Sequence, residues 1–115
     1  MRILVCGGRD FTDTIFIYQW LDALAENWFE PTIIEGDAKG VDRIAGYWAR
    51  KNGFTNLKFP AEWERYGKRA GYLRNKRMLD EGKPDLVIAF PGGIGTAMMI
   101  KLAEEAGVKV VQIER

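Results

Sequence analysis

The chain contains no histidine and a single cysteine, Cys6. Catalysis through an imidazole is excluded, and an internal disulfide cannot form. The usual Cys/His ligand set of a structural zinc site cannot be assembled either. No metal and no resident cofactor are therefore expected. Long apolar runs are also missing: none approaches the ~18 residues that a membrane span requires. The first residues lack the basic, apolar and small-residue order of a secretory leader. The expectation is a cytoplasmic protein with no membrane attachment. Net charge is only +1, whereas non-specific nucleic-acid binding relies on many phosphate contacts. Nucleic acid is accordingly an unlikely partner on these grounds.

What is present suits one globular domain covering residues 1–115. The length allows a real core, and 47% hydrophobic residues is ordinary for such a domain. The near-zero net charge hides an asymmetry. Through Asp37 there are seven acids and two bases, while from Lys58 to Arg77 there are seven bases and two acids. Such a division can mark an anion-binding face, or basic residues that only solvate a loop and a helix.

Five short segments read as strands: Arg2–Cys6, Thr32–Glu35, Asn56–Phe59, Leu86–Phe90 and Lys109–Ile113. Most are rich in β-branched residues and bounded by Gly, Pro or Asp. Helical patterns lie between them. Thr12 and Asp13 can cap a helix that places Ile17, Leu21, Leu24 and Trp28 on one face. Val41, Ile44, Ala45, Trp48 and Ala49 form a second stripe, with Gly53 where a left-handed cap belongs. Ala70–Glu81 predicts a further helix stopped by Gly82 and Pro84. Met99, Leu102, Ala103 and Ala106 predict the last, ended by Gly107.

Alternation of strand and helix implies an α/β fold: a Rossmann-like three-layer domain with a mostly parallel five-stranded sheet and helices on both faces. Pro60–Gly71, "PAEWERYGKRAG", is too polar and glycine-broken to predict a regular element. A long excursion of this kind in a small domain is often functional.

In such folds ligands bind beyond the carboxyl ends of the strands, where strand order reverses. Three strands end unusually. The first runs into Gly7-Gly8-Arg9-Asp10, the second into "EGDAKGVD" (Glu35 to Asp42), and the fourth into "FPGGIGT" (Phe90 to Thr96). In the last, Pro91 stops the strand, Gly92, Gly93 and Gly95 carry no side chains, and Thr96 opens a helix. Backbone N–H groups and a helix N-terminus can then approach an anion closely. No Gly-Lys-Ser/Thr follows, so this is not a Walker loop. Met98 stands where a dinucleotide fingerprint would need glycine or alanine.

In the second loop Gly36 and Gly40 permit close approach, with Asp37, Lys39 or Asp42 at the rim. Asp42 suits either a ribose contact or compensation of the helix dipole. Arg9 and Asp10 suit either the site or pairing with one another. Farther on, Arg74 and Asn75 stand early in a helix, and the arginine fork matches phosphate or carboxylate. Trp63, Tyr66 and Tyr72 can stack on a base or pin their loop to the core. Four tryptophans in a chain this short also allow a homo-oligomer, unless Trp28 and Trp48 pack helices onto the sheet.

The segments "CGGRDFTD", "GDAKGVDRIA", "FPAEWERYGKRAGYLRNKRML" and "PDLVIAFPGGIGT" together resemble the YspA-type, cpYpsA-related family of the SLOG superfamily, over nearly the whole chain. The resemblance implies a Rossmann-like fold and the binding of a nucleotide or nucleotide-derived ligand. More distant relatives in the superfamily are the "lonely guy" phosphoribohydrolases and the DNA-processing proteins of the DprA/Smf type. The phosphoribohydrolase pattern PGGxGTxxE falls on Pro91, Gly92, Gly93, Gly95 and Thr96, with Met99 at the last position. A second pattern falls on Arg74, Asn75 and Met78. In those enzymes the arginine and glutamate are the catalytic pair, so Arg74 is retained here and the carboxylate is not. Cleavage of an N-glycosidic bond passes through an oxocarbenium-like state that a carboxylate assists. Met99 cannot, and it also sits on an apolar stripe.

The leading expectation is therefore a binding domain. Its site comprises Gly7, Gly8, Arg9, Asp10, Gly36, Asp37, Asp42, Arg74, Asn75, Pro91, Gly92, Gly93, Gly95 and Thr96. The alternatives are a nucleotide-processing enzyme that uses a displaced carboxylate (Asp10, Glu35, Asp37 or Asp42) or, less expected, a single-stranded nucleic-acid module.

Overall fold

The computed structural model describes residues 1–115. The order along the chain is β1 (Arg2–Cys6), α1 (Thr14–Ala25), β2 (Thr32–Glu35), α2 (Val41–Lys51), β3 (Thr55–Lys58), α3 (Trp63–Tyr66), a 3₁₀ turn (Gly67–Arg69), α4 (Ala70–Asp80), β4 (Leu86–Ala89), α5 (Ile94–Glu105) and β5 (Lys109–Gln112). All pairings are parallel, in the order β3-β2-β1-β4-β5. The chain leaves β3 at one side, crosses over, and re-enters beside β1. The reversal therefore falls between β1 and β4.

Side chains alternate across the strands and build two cores. Ile3, Val5, Ile33 and Ile88 face Ile17 and Leu21 of α1 and Val41, Ala45, Trp48 and Ala49 of α2. Leu4, Cys6, Ile34, Val87 and Ala89 face Met78 and Leu79 of α4 and Met99 and Ala103 of α5. A sheet buried on both faces explains why the central strands are almost wholly apolar. Trp48 is fully buried and donates its indole N–H to Asp22 at 2.8 Å. Trp20 and Trp63 stay exposed. No helix is long and apolar enough to cross a membrane.

The element ends follow local chemistry. Asp13 caps α1 by accepting the Phe16 N–H at 3.1 Å. The helix stops at Ala25, so Trp28 lies beyond it while still packing on the same core. Gly53 and Gly107 take φ of 75° and 77°, the left-handed turns expected after α2 and α5. Strands β4 and β5 end one residue earlier than the apolar pattern suggests, and β3 is shifted one residue back. The ladder nevertheless continues, because Phe59, Phe90 and Ile113 each donate one further N–H to the neighbouring strand.

The excursion is a correction. Pro60–Gly71 contains a one-turn helix, α3, and the 3₁₀ turn. Arg65 and Tyr66 both donate to the Glu62 carbonyl. Neither element buries a residue, so local hydrogen bonds form them without an apolar pattern to announce them.

Candidate functional site

The carboxyl ends of β1 and β4 open into a cavity of about 760 Å³, within the range of small-molecule sites. Its walls come from the three glycine-bearing loops, from α4 and α5, and from the α3 excursion. Gly8 joins the loops. Its N–H donates to the Pro91 carbonyl at 2.9 Å, and its own carbonyl accepts from Phe11 and Val41, each at 3.3 Å. Gly92 packs directly behind this contact. A Cβ there would collide with the Thr96 hydroxyl and stand 2.8 Å from Gly8 N, so the loop closes only around a bare backbone.

The floor carries the charge. Arg74 reaches from α4 across the sheet edge, donating Nη1–H to the Gly36 carbonyl at 2.6 Å and Nε–H to Asn75 Oδ1 at 2.9 Å. Asp42, in the first turn of α2, is buried and accepts the Ala38 N–H at 3.4 Å. A Cβ on Gly36 would stand 2.5 Å from Arg74 Nη1 and 2.8 Å from Asp42 Oδ2. Glycine is thus what allows the two charged groups to converge. Burial raises the Asp42 pKa to about 7, against the opposing pull of Arg74. Burial likewise draws Arg74 below its ordinary value, countered by Asp42; a guanidinium nevertheless stays charged. The Cys6 thiol is pushed up by burial, which leaves it protonated and unreactive.

The cavity brings together Gly7, Gly8, Arg9, Asp10, Asp42, Arg74, Asn75, Pro91, Gly92, Gly93, Gly95 and Thr96. Two residues named with them do not line it. Gly36 lies directly behind Arg74 and Asp42. Asp37 turns outward to Arg43 at 3.4 Å and Lys58 at 3.7 Å. With φ of 56°, the Asp37 backbone instead presents its N–H to Glu35 at 2.6 Å. Glu35 is fully buried on the α2 side, where Asn56 also donates to it at 3.1 Å, so it too is absent from the cavity. Of the four candidate substitute carboxylates only Asp42 and Asp10 reach the wall, and Asp10 is exposed. Met99 is 1% exposed and belongs to the core beneath α5, at the inner edge of the cavity.

The excursion supplies the outer rim. Trp63, Lys68 and Tyr72 line the mouth, whereas Tyr66 does not. The Arg9 guanidinium lies 5.5 Å from the Trp63 ring centroid, linking the exit of β1 to α3 across the opening. Ile94 at the start of α5 is 88% exposed beside it. Lys68 and Ile94 join the lining without being among the expected site residues. The length of the excursion and the basic run from Lys58 to Arg77 are the sequence signals for the former, and nothing in the pattern marks the latter.

The family model described as YspA, cpYpsA-related SLOG family matches residues 1–66. That span includes the exits of β1 and β2 and the start of the excursion. A protein of Mycobacterium phage D29, named Gene 61 protein, is 36% identical over 118 residues, covering 96% of this chain and 94% of its own length. That alignment also takes in Arg74 and the α5 loop. With more than half of its length matched and the fold in agreement, the chain belongs to the YspA, cpYpsA-related SLOG family.

Proposed function

We propose that this domain binds a nucleotide or nucleotide-derived ligand in the cavity at the β1–β4 reversal. The observation that carries this reading is the convergence of three glycine-bearing strand ends on one cavity whose floor holds Arg74. In this reading a phosphate lies against the Gly92–Thr96 loop and the N-terminus of α5, whose first-turn N–H groups lack helical acceptors. Arg74 and Arg9 balance its charge. Asn75 and Asp42 contact sugar or base, and Trp63 or Tyr72 covers the base at the mouth. Calorimetric titration with nucleoside mono- and diphosphates tests this. Binding by the wild type that Arg74→Ala weakens at least about tenfold, or ~1.4 kcal/mol, is the expected result. Equal binding by the variant removes Arg74 from the site.

One observation favours a second reading, hydrolysis of the bound ligand. Asp42 is a carboxyl with a pKa of about 7 on the same wall as Arg74, which suits proton transfer near neutral pH. Incubation with nucleoside monophosphates followed by chromatography for free base tests it. Product from the wild type and none from Asp42→Asn, with binding retained in both, supports turnover. Binding without product rejects it.

A further inference from the structure

A second groove, of about 500 Å³, lies on the far side of the α5 loop, between the first turns of α5 and the exit of β5. We propose that it receives the far half of a two-part ligand, a nucleotide whose phosphate is joined to another organic group, with the phosphate lying across the Gly92–Gly93 ridge. This rests on the nucleotide reading above and names the ligand class.

The first support is continuity. Pro91, Gly92, Gly93 and Thr96 line both hollows, so the loop alone stands between them. The second is the ridge itself. Gly92 is explained by packing, but Gly93 is not: a Cβ there would meet nothing within 4 Å. Packing does not require glycine at that point. A bare Gly93 keeps the crossing low. Gly95 repeats the pattern, with nothing near its Cβ position, although glycine is a poor choice inside a helix. Helix α5 also has no side-chain cap, so its first N–H groups are left for an anion on the ridge.

The third support is the chemistry of the groove. Phe90, Ile100 and Ile113 give it an apolar floor, and Gln112, Glu114 and Arg115 stand on its rim. Arg115 is already held by Asp13 at 2.6 Å, with its guanidinium over Phe11 and Phe16. The rim therefore offers hydrogen bonds to hydroxyl or amide groups more readily than a free cation for a further phosphate. A sugar or a second base matches that combination. Linking two moieties makes engagement of the second effectively intramolecular, which multiplies affinity without new contacts at the first site.

The test is calorimetric titration of the intact protein with matched probes: AMP, ADP, ADP-ribose and NAD, and UMP against UDP-glucose. Gln112→Trp and Ala97→Leu fill the groove from two exposed positions, and thermal melts check that both variants fold. At least one two-part probe is expected to bind about tenfold or more tightly than its mononucleotide. ADP separates the effect of the second phosphate. That advantage is expected to disappear in Gln112→Trp and Ala97→Leu while mononucleotide affinity holds. Two-part probes no tighter than their mononucleotides, or an advantage that survives both variants, overturns the second subsite alone. No binding by any probe overturns the nucleotide reading and this inference together.

Discussion

Asp42→Asn should invert the usual consequence of replacing a charged residue. The wild-type carboxyl is 7% exposed. It faces Arg74 from α4, Glu35 at the end of β2 and Cys6 on β1, with the Ala38 N–H beside it. Burial raises its pKa from 3.8 to about 7. Folded protein therefore holds the Asp42 proton more tightly than unfolded chain does. Between about pH 4 and pH 7 the folded state binds more protons, so stability falls as pH rises, and above pH 7 the loss is complete. A shift of this size corresponds to roughly 4 kcal/mol in full, of which about 2 to 3 kcal/mol is lost between pH 5 and pH 8.5.

Asparagine has the same shape, does not titrate, and still accepts from Ala38 through its carbonyl oxygen. Urea denaturation of both proteins at pH 5, 7 and 8.5 reads the difference directly. The variant is expected to gain on the wild type by about 2 to 3 kcal/mol across that range, whatever their offset at pH 5. Subtracting one curve from the other removes the part of the Glu35 titration common to both proteins; burial raises the pKa of that carboxyl as well. A constant difference between the two proteins at all three pH values would refute the reasoning. It would mean that Asp42 ionises in the folded state as readily as an exposed carboxylate.

Two adjacent glycines should behave differently. Gly92→Ala drives a Cβ against Thr96 and Gly8 and is expected to cost about 1 to 3 kcal/mol. Gly93→Ala enters open space, so its cost comes from the backbone alone (φ −105°, ψ −141°) and should stay below that of Gly92→Ala in the same denaturation assay. Met99→Glu, which puts a carboxylate where the phosphoribohydrolase pattern has one, buries a charge beneath α5. It should destabilise by about 3 kcal/mol or more at pH 8 and by less at pH 5, where the acid is more readily neutral. A melt showing wild-type stability at pH 8 would mean that this position opens to water.

Much of the architecture is legible in local pattern. Gly7-Gly8 and Pro91-Gly92-Gly93 interrupt apolar runs abruptly, and each interruption marks the end of a buried strand. Strand–helix alternation with near-continuous apolar strands specifies a parallel sheet covered on both sides, which the two cores realise. Arg74 and Asn75, one turn before Met78, could be placed facing the sheet because helix period alone sets that face. The acidic residues were not separable in this way. Glu35, Asp37 and Asp42 lie within eight residues of one another, and a loop has no period to sort them.

Sequence alone therefore determined the layers, the direction of the strands, and where each buried strand gives way to a glycine-bearing loop. These depend on short-range sterics and on the alternation of apolar side chains. Tertiary structure decided which carboxylate enters the cavity. Gly36 leaves room for Arg74 and Asp42 to converge, Arg43 and Lys58 draw Asp37 outward, and Asn56 holds Glu35 on the opposite side. It also decided that the α3 excursion borders the mouth through Trp63 and Arg9, and that a second groove lies beyond the Gly92–Gly93 ridge. Each of these depends on residues far apart in the chain, whose partners are chosen only when the sheet assembles.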